Sequence, residues 1–312
     1  MVRRLRDDRT RRYYRRGDDQ VWSLTLTYRS ALSPWYPLGS GRKLRFRCDY
    51  DGPAAFANTK EVTLREINRL ELDFGQPISI AELHNELTIW QTFFTLALRQ
   101  AVYLDDARFS IADKAKGTTP FGLMVPGRRD PASIARQNHD YILFTKGQLG
   151  NRLAGCLRSW RENYEGLMNA MLLFAGTSYQ SDSYIHARLL AYLQALEVLH
   201  RERFTASRDL TLVGRLSELF ESYPKSLTPI FPAGLGDMGL LKDVRNYLTH
   251  YSRPKSLGSD ILWSRRLLIL FEKTRLFAEV CLLGVMGLSD DEIREHLRTF
   301  EPYVGWSHEK HR

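Results

Sequence analysis

Residues 151–176, NRLAGCLRSWRENYEGLMNAMLLFAG, decide the fold class of this 312-residue chain. Leu153, Leu157, Trp160, Tyr164, Leu167 and Met171 recur every three or four places, the period that puts them on one face of a helix. The segments that follow carry the same texture. SDSYIHARLLAYLQALEVLHRERF (181–204) spans about six turns behind a Ser/Asp cap candidate. DLTLVGRLSELFESYP (209–224) is shorter and stops at Pro224, and SLTPIFPAGLGDMG (226–239) reads as a Gly-Pro-rich loop. The long segment at 259–287 and SDDEIREHLRTF (289–300), with a Ser289/Glu292 capping box, complete a bundle of five or six helices.

Upstream of this bundle the period changes. VWSLTLTY (21–28) alternates, with Trp22, Leu24, Leu26 and Tyr28 on one side, and KLRFRCDY, TKEVTLREI and RLELDFG repeat that strand pattern. ARFSI and FGLMV predict further strands, PGRRDP a turn and SPWYPLGSG (33–41) a loop. One helix interrupts them: ISIAELHNELTIWQTFFTLALRQAVYL (78–104), with Leu83, Leu87, Trp90, Phe94, Leu98 and Val102 as its apolar stripe. Residues 1–20 hold eight Arg against four Asp and little to bury, so they read as a basic flexible tail. The expected organisation is α+β: a basic flexible tail at 1–20, a strand-rich N-terminal domain at 21–145, and an all-α bundle at 146–312.

Charge and composition narrow the function classes. The net charge of +9 fits a polyanionic partner, nucleic acid first, and equally a solubilising tail. No apolar run reaches the roughly 18 residues of a membrane span, and no apolar segment follows the N-terminal arginines as in a secretory signal. Cys48, Cys156 and Cys281 lie far apart without metal or redox spacing. These features lead us to expect a cytoplasmic protein without a membrane partner, its cysteines used for packing.

The chemistry concentrates in LLKDVRNYLTHY (240–251). Helical geometry gives Leu240, Val244, Tyr247, Leu248 and Tyr251 as the buried arc, stacks Asn246 on His250 at i and i+4, and sets Arg245 about 140° from His250 at the other edge of the polar face. Arginine can hold phosphate oxygens bidentately, histidine can move the proton of an RNA 2′-OH or protonate a leaving oxygen, and asparagine can fix the imidazole or donate to phosphate. The set suits phosphate-ester cleavage without metal, because no carboxylate or cysteine group stands ready to ligate one. One histidine cannot perform both proton transfers, but a symmetric dimer would bring a second. An ordinary amphipathic helix with a polar face accounts for the bare spacing equally well. Glu197 and His200, on the preceding long helix, either face the same cleft, Glu197 orienting Arg245 or His250, or form structural salt bridges with Arg201 or Arg203. Trp22, Trp35, Tyr36 and Trp90 can stack on bases or fill a core.

The joint pattern of QALEVLH at 194–200 and RNYLTHY at 245–251, with the strand-rich front half, resembles the ApeA-like HEPN proteins of bacterial anti-phage defence. The resemblance implies a metal-independent endoribonuclease with Arg245 and His250 catalytic, Asn246 assisting, Glu197 and Tyr251 as possible supports, and no cofactor. It also implies RNA as substrate, tRNA among the targets, a homodimer through the HEPN bundle and a phage-derived trigger. The competing expectation is a catalytically silent HEPN module that binds a nucleotide or a partner, or serves dimerisation.

Overall fold

The computed structural model describes residues 8–17, 20–29, 31–51, 65–103, 107–113, 117–123, 141–180, 183–204, 209–250 and 265–308. The chain is α+β and divides into two compact units, Met1–Pro77 and Ile78–Arg312.

In the first unit, β1 (Asp8–Gly17) pairs antiparallel with β2 (Gln20–Arg29). Half of the expected flexible tail is therefore a strand. Thr10, Tyr13 and Tyr14 are good strand formers, and the register sets Arg11 opposite Leu26 and Tyr13 opposite Leu24. A second sheet is built on β5 (Arg42–Asp51): β3 (Ala31–Leu32) and β4 (Tyr36–Gly39) share one of its edges, and β6 (Arg65–Asp73) takes the other. The expected loop at 33–41 thus contains a strand. Gly39, Ser40 and Gly41 all have positive φ, which turns the chain directly from β4 into β5. Register separates the faces of this sheet: Leu44 opposes Leu72 and Phe46 opposes Leu70, while Lys43 opposes Asp73 and Arg45 opposes Glu71. The charged pairs are ion-paired across the strands, and the Arg45 guanidinium lies 4.4 Å from the Trp35 ring centroid. Trp35 and Tyr36 therefore serve local packing, Tyr36 meeting Phe46 edge-on. Most of TKEVTLREI and all of PGRRDP lie outside the described residues.

The second unit opens with α1 (Ile80–Leu98), capped by a Ser79/Glu82 capping box. Its buried row is Glu86, Ile89, Trp90, Phe93 and Leu96, so only Trp90 of the expected stripe is fully buried. Two contacts with the long third helix turn α1 this way: Glu86 takes the Arg161 guanidinium, and Trp160 Nε1 donates to the Ile89 carbonyl at 3.1 Å. The helix stops at Arg99, which adopts the left-handed conformation, leaving Val102 beyond it. A hairpin of β7 (Ala107–Asp113) and β8 (Gly117–Leu123) follows.

The short α2 (Lys146–Leu149) leads through a 3-10 turn into α3 (Leu153–Tyr179). All six residues of the α3 stripe are buried, each worth about 1.5–3 kcal/mol relative to exposure. Next come α4 (Ile185–Arg203), α5 (Leu212–Ser222), α6 (Pro224–Leu227), α7 (Leu235–His250), α8 (Arg265–Val285), α9 (Asp290–Leu297) and α10 (Glu301–His308). Among the caps, the Ser289/Glu292 box forms as expected, but α4 starts behind Tyr184 without a side-chain cap. Pro224 opens α6, its missing N–H costing nothing at a first helical position.

Helix α4 packs on α3, α5, α7 and α8, and α8 is buried at every position from Thr274 to Leu283. Arg275 and Glu279 are tolerated there because Glu279 Oε1 receives both Arg275 Nε at 2.9 Å and Arg99 Nε at 2.7 Å. The expected boundary at residue 145 falls inside this second unit. Phe93 of α1 meets Phe144 and Trp160 edge-on, so one core runs across that position. Cys156 and Cys281 are buried, and loss of hydration pushes their thiols up to about 11 and about 12, as suits packing residues. Among the described residues no helix is long and apolar enough to cross a membrane.

Candidate functional site

The site is built on α7. Its N-terminal turn is fixed by Asp237, whose carboxylate accepts the Ala233 N–H at 2.9 Å. Met238, Leu241 and Val244 are the buried residues of the helix, and they seat it against α4 and α5. Of the expected arc only Val244 is fully buried; Leu240, Tyr247 and Leu248 are half-buried and Tyr251 lies outside the described residues. The inward face is thus turned by roughly 75° from the expected one, at 100° per residue.

This rotation changes the role of Arg245. It stands within about 20° of Met238 on the helical wheel, so it points toward the α4 side instead of standing at the far edge of the polar face. There its Nη2 lies 3.6 Å from Glu197 Oε2, with 28% of the arginine side chain and 14% of the glutamate side chain exposed. The other oxygen of Glu197 accepts from Arg201 Nη2 at 2.6 Å. One carboxylate of α4 therefore joins a guanidinium of its own helix to one of α7. Glu197 thus contacts Arg245 and Arg201 together, so its two candidate partners do not compete for it.

Asn246 follows Arg245 and accepts from its Nη1 at 3.4 Å, a long contact. Arg245 Nε is buried and makes no hydrogen bond among the described residues. His250 is the last residue of α7 and is exposed; beside it in the chain, Thr249 Oγ1 donates to the Arg245 carbonyl one turn back, at 2.9 Å. The helix offers an open edge carrying Asn246 and His250 beside a half-buried arginine braced from behind.

His200 does not join this group. It is fully buried, its Nε2 lies 2.8 Å from Glu218 Oε2 of α5, and its ring stacks on Phe204. It is a packing residue, paired with Glu218 in place of the expected Arg201 or Arg203 because its ring is turned toward α5. Arg203 donates instead to Tyr223 Oη at 2.6 Å. Sequence reading gave Arg201 no place at the site beyond a structural ion pair. The i, i+4 spacing to Glu197 was visible, but the arrival of Arg245 on the same carboxylate was not. Among the described residues no three His, Cys, Asp or Glu side chains gather into a metal-ligand set.

Comparison with known proteins bears on both halves of the chain. The family model described as Apea-like HEPN matches residues 190–292, which contain Glu197, Arg201 and the whole of α7. The model described as ApeA N-terminal domain 1 matches residues 12–160, from β1 into α3. No curated protein and no solved structure matches the chain. With both regions matched in their proper order, the chain belongs to the ApeA-like HEPN family of anti-phage defence proteins.

Proposed function

We propose that this protein is a metal-independent endoribonuclease that acts in the bacterial cytoplasm during phage infection, cutting cellular RNA such as tRNA. The observation that carries this reading is Arg245, half-buried and braced by Glu197 while Asn246 and His250 stand on the same helix. A guanidinium fixed by a carboxylate behind it is prepared to hold phosphate oxygens without reorganising during reaction. In the proposed step the RNA 2′-oxygen attacks the adjacent phosphorus and the bond from phosphorus to the 5′-oxygen breaks. One imidazole takes the 2′-OH proton and a second protonates the 5′-oxygen, leaving a 2′,3′-cyclic phosphate. Arg245 offsets the charge on the phosphorane, and Asn246 donates to a phosphate oxygen or steadies the imidazole. A homodimer through the helical bundle supplies the second His250. The N-terminal domain is the sensor-like part, answering a phage-derived trigger.

Purified full-length protein incubated with total RNA tests this. We expect cleavage that persists in EDTA and leaves 2′,3′-cyclic phosphate ends. Arg245→Ala should lose about 10²–10³-fold, and His250→Ala should lose about 10²–10⁴-fold. Overexpression should be toxic and His250→Ala should relieve it. Identical RNA patterns from wild type and both variants, with and without phage lysate, would leave a silent binding or dimerisation module in its place.

A further inference from the structure

Arg201 stands on the same carboxylate as Arg245, and nothing in the nuclease reading uses it. Its Nη2 donates to Glu197 Oε1 at 2.6 Å while Arg245 Nη2 faces Glu197 Oε2 at 3.6 Å. The two guanidinium groups therefore flank one carboxylate, close enough for neighbouring phosphates of one strand to meet one each. The charges do not cancel: two arginines share one glutamate. Nearby Lys242 adds nothing to this excess, since its Nζ pairs with Asp243 at 2.7 Å.

Exposure grades the three groups. The Arg201 side chain is 54% exposed, against 28% for Arg245 and 14% for Glu197. The arginine end of this i, i+4 pair is open to solvent, so Arg201 can exchange Glu197 for another anion. A phosphate offers it a bidentate partner of higher charge. Arg203, two residues on, has no such freedom, because Tyr223 Oη holds it at 2.6 Å. When Arg201 swings outward, Glu197 is left to Arg245 alone, which tightens the brace behind the half-buried guanidinium.

We infer that Arg201 is a substrate-binding residue that holds an RNA phosphate next to the one at Arg245, exchanging its contact with Glu197 for the strand. The inference rests on RNA being the substrate of the α7 site, and binding and cleavage are measured separately so that each idea can fail alone. In a full-length His250→Ala background, affinity for a labelled single-stranded oligoribonucleotide of mixed sequence is titrated across a range of KCl concentrations. Arg201→Ala should weaken binding and lower the slope of log K against log salt by about 0.7, the loss of one phosphate contact to a single strand. Arg201→Lys should retain that slope, since a point charge still displaces the counterion. Arg298→Ala serves as the control: Arg298 is 69% exposed and paired with Glu295 at 2.9 Å, so the net charge changes equally but the slope should not.

An unchanged slope in Arg201→Ala, an equal fall in Arg298→Ala, or no binding by the parent overturns the inference. If the slopes behave as expected but wild type leaves RNA intact, Arg201 keeps its role and the nuclease reading is lost. Unchanged circular dichroism and melting of Arg201→Ala exclude misfolding as the cause.

Discussion

Gly284 lies within α8, where alanine would ordinarily be the better residue by about 1 kcal/mol. The structure predicts the opposite result. A Cβ built there would stand 1.9 Å from Tyr223 Oη, 2.3 Å from Cζ and 2.6 Å from Cε1. These are atoms of one rigid ring, itself only 4% exposed and with its phenol pushed upward by burial. The ring cannot yield without giving up the hydrogen bond that Arg203 donates to it at 2.6 Å. Overpacking costs about 1–3 kcal/mol, and loss of a hydrogen bond to a charged donor about 1.5–3 kcal/mol. After subtraction of the helix-propensity gain, Gly284→Ala should destabilise the protein by about 1.5–5 kcal/mol. Urea unfolding followed by circular dichroism and tryptophan fluorescence measures this, agreement between the probes supporting a single transition. The decisive comparison is the Tyr223→Ala background. That change costs about 3–5 kcal/mol alone, but it empties the space, so adding Gly284→Ala should then be neutral or stabilising by up to ~1 kcal/mol. Equal destabilisation in both backgrounds would refute the steric argument.

Three further outcomes are expected. Glu279→Ala leaves Arg99 and Arg275 buried without their shared carboxylate, which should cost about 3–5 kcal/mol in urea unfolding, while Arg298→Ala on the surface should change nothing measurable. Glu197→Gln removes two partly exposed ion pairs, the long one to Arg245 and the shorter one to Arg201, so stability should fall by ~2 kcal/mol or less; cleavage should slow by roughly 10–100-fold as Arg245 loses its brace, and equal cleavage would dismiss Glu197 as a positioning residue. His296, whose Nε2 donates to the Leu143 carbonyl at 2.7 Å, is held below the usual histidine range by burial. The unfolded chain then binds the proton first, so stability should be fully present above pH ~6.5 and fall as pH drops toward the folded value. Equilibrium unfolding across that window should show a pH slope that His296→Gln flattens.

The sequence by itself determined element type wherever one period ran long enough. The α3 stripe from Leu153 to Met171 is buried residue for residue, because a helix this long has only one way to hide six large apolar side chains. Strands β2, β5 and β7 were equally legible from alternation, as was the Ser289/Glu292 cap, a purely local device. The gathering of Arg245, Asn246 and His250 on one helix could also be read, since they are close in sequence. What only the tertiary structure decided was which way each helix faces. In α1 the Arg161 guanidinium draws Glu86 inward, and in α7 packing on α4 and α5 buries Met238 and Leu241 and turns Arg245 toward Glu197. Apolar side chains alone leave such a helix free to rotate by a residue or so at small cost, and a polar partner on a neighbouring helix fixes the angle. That partner is 48 residues away along the chain, and no period within one helix contains it.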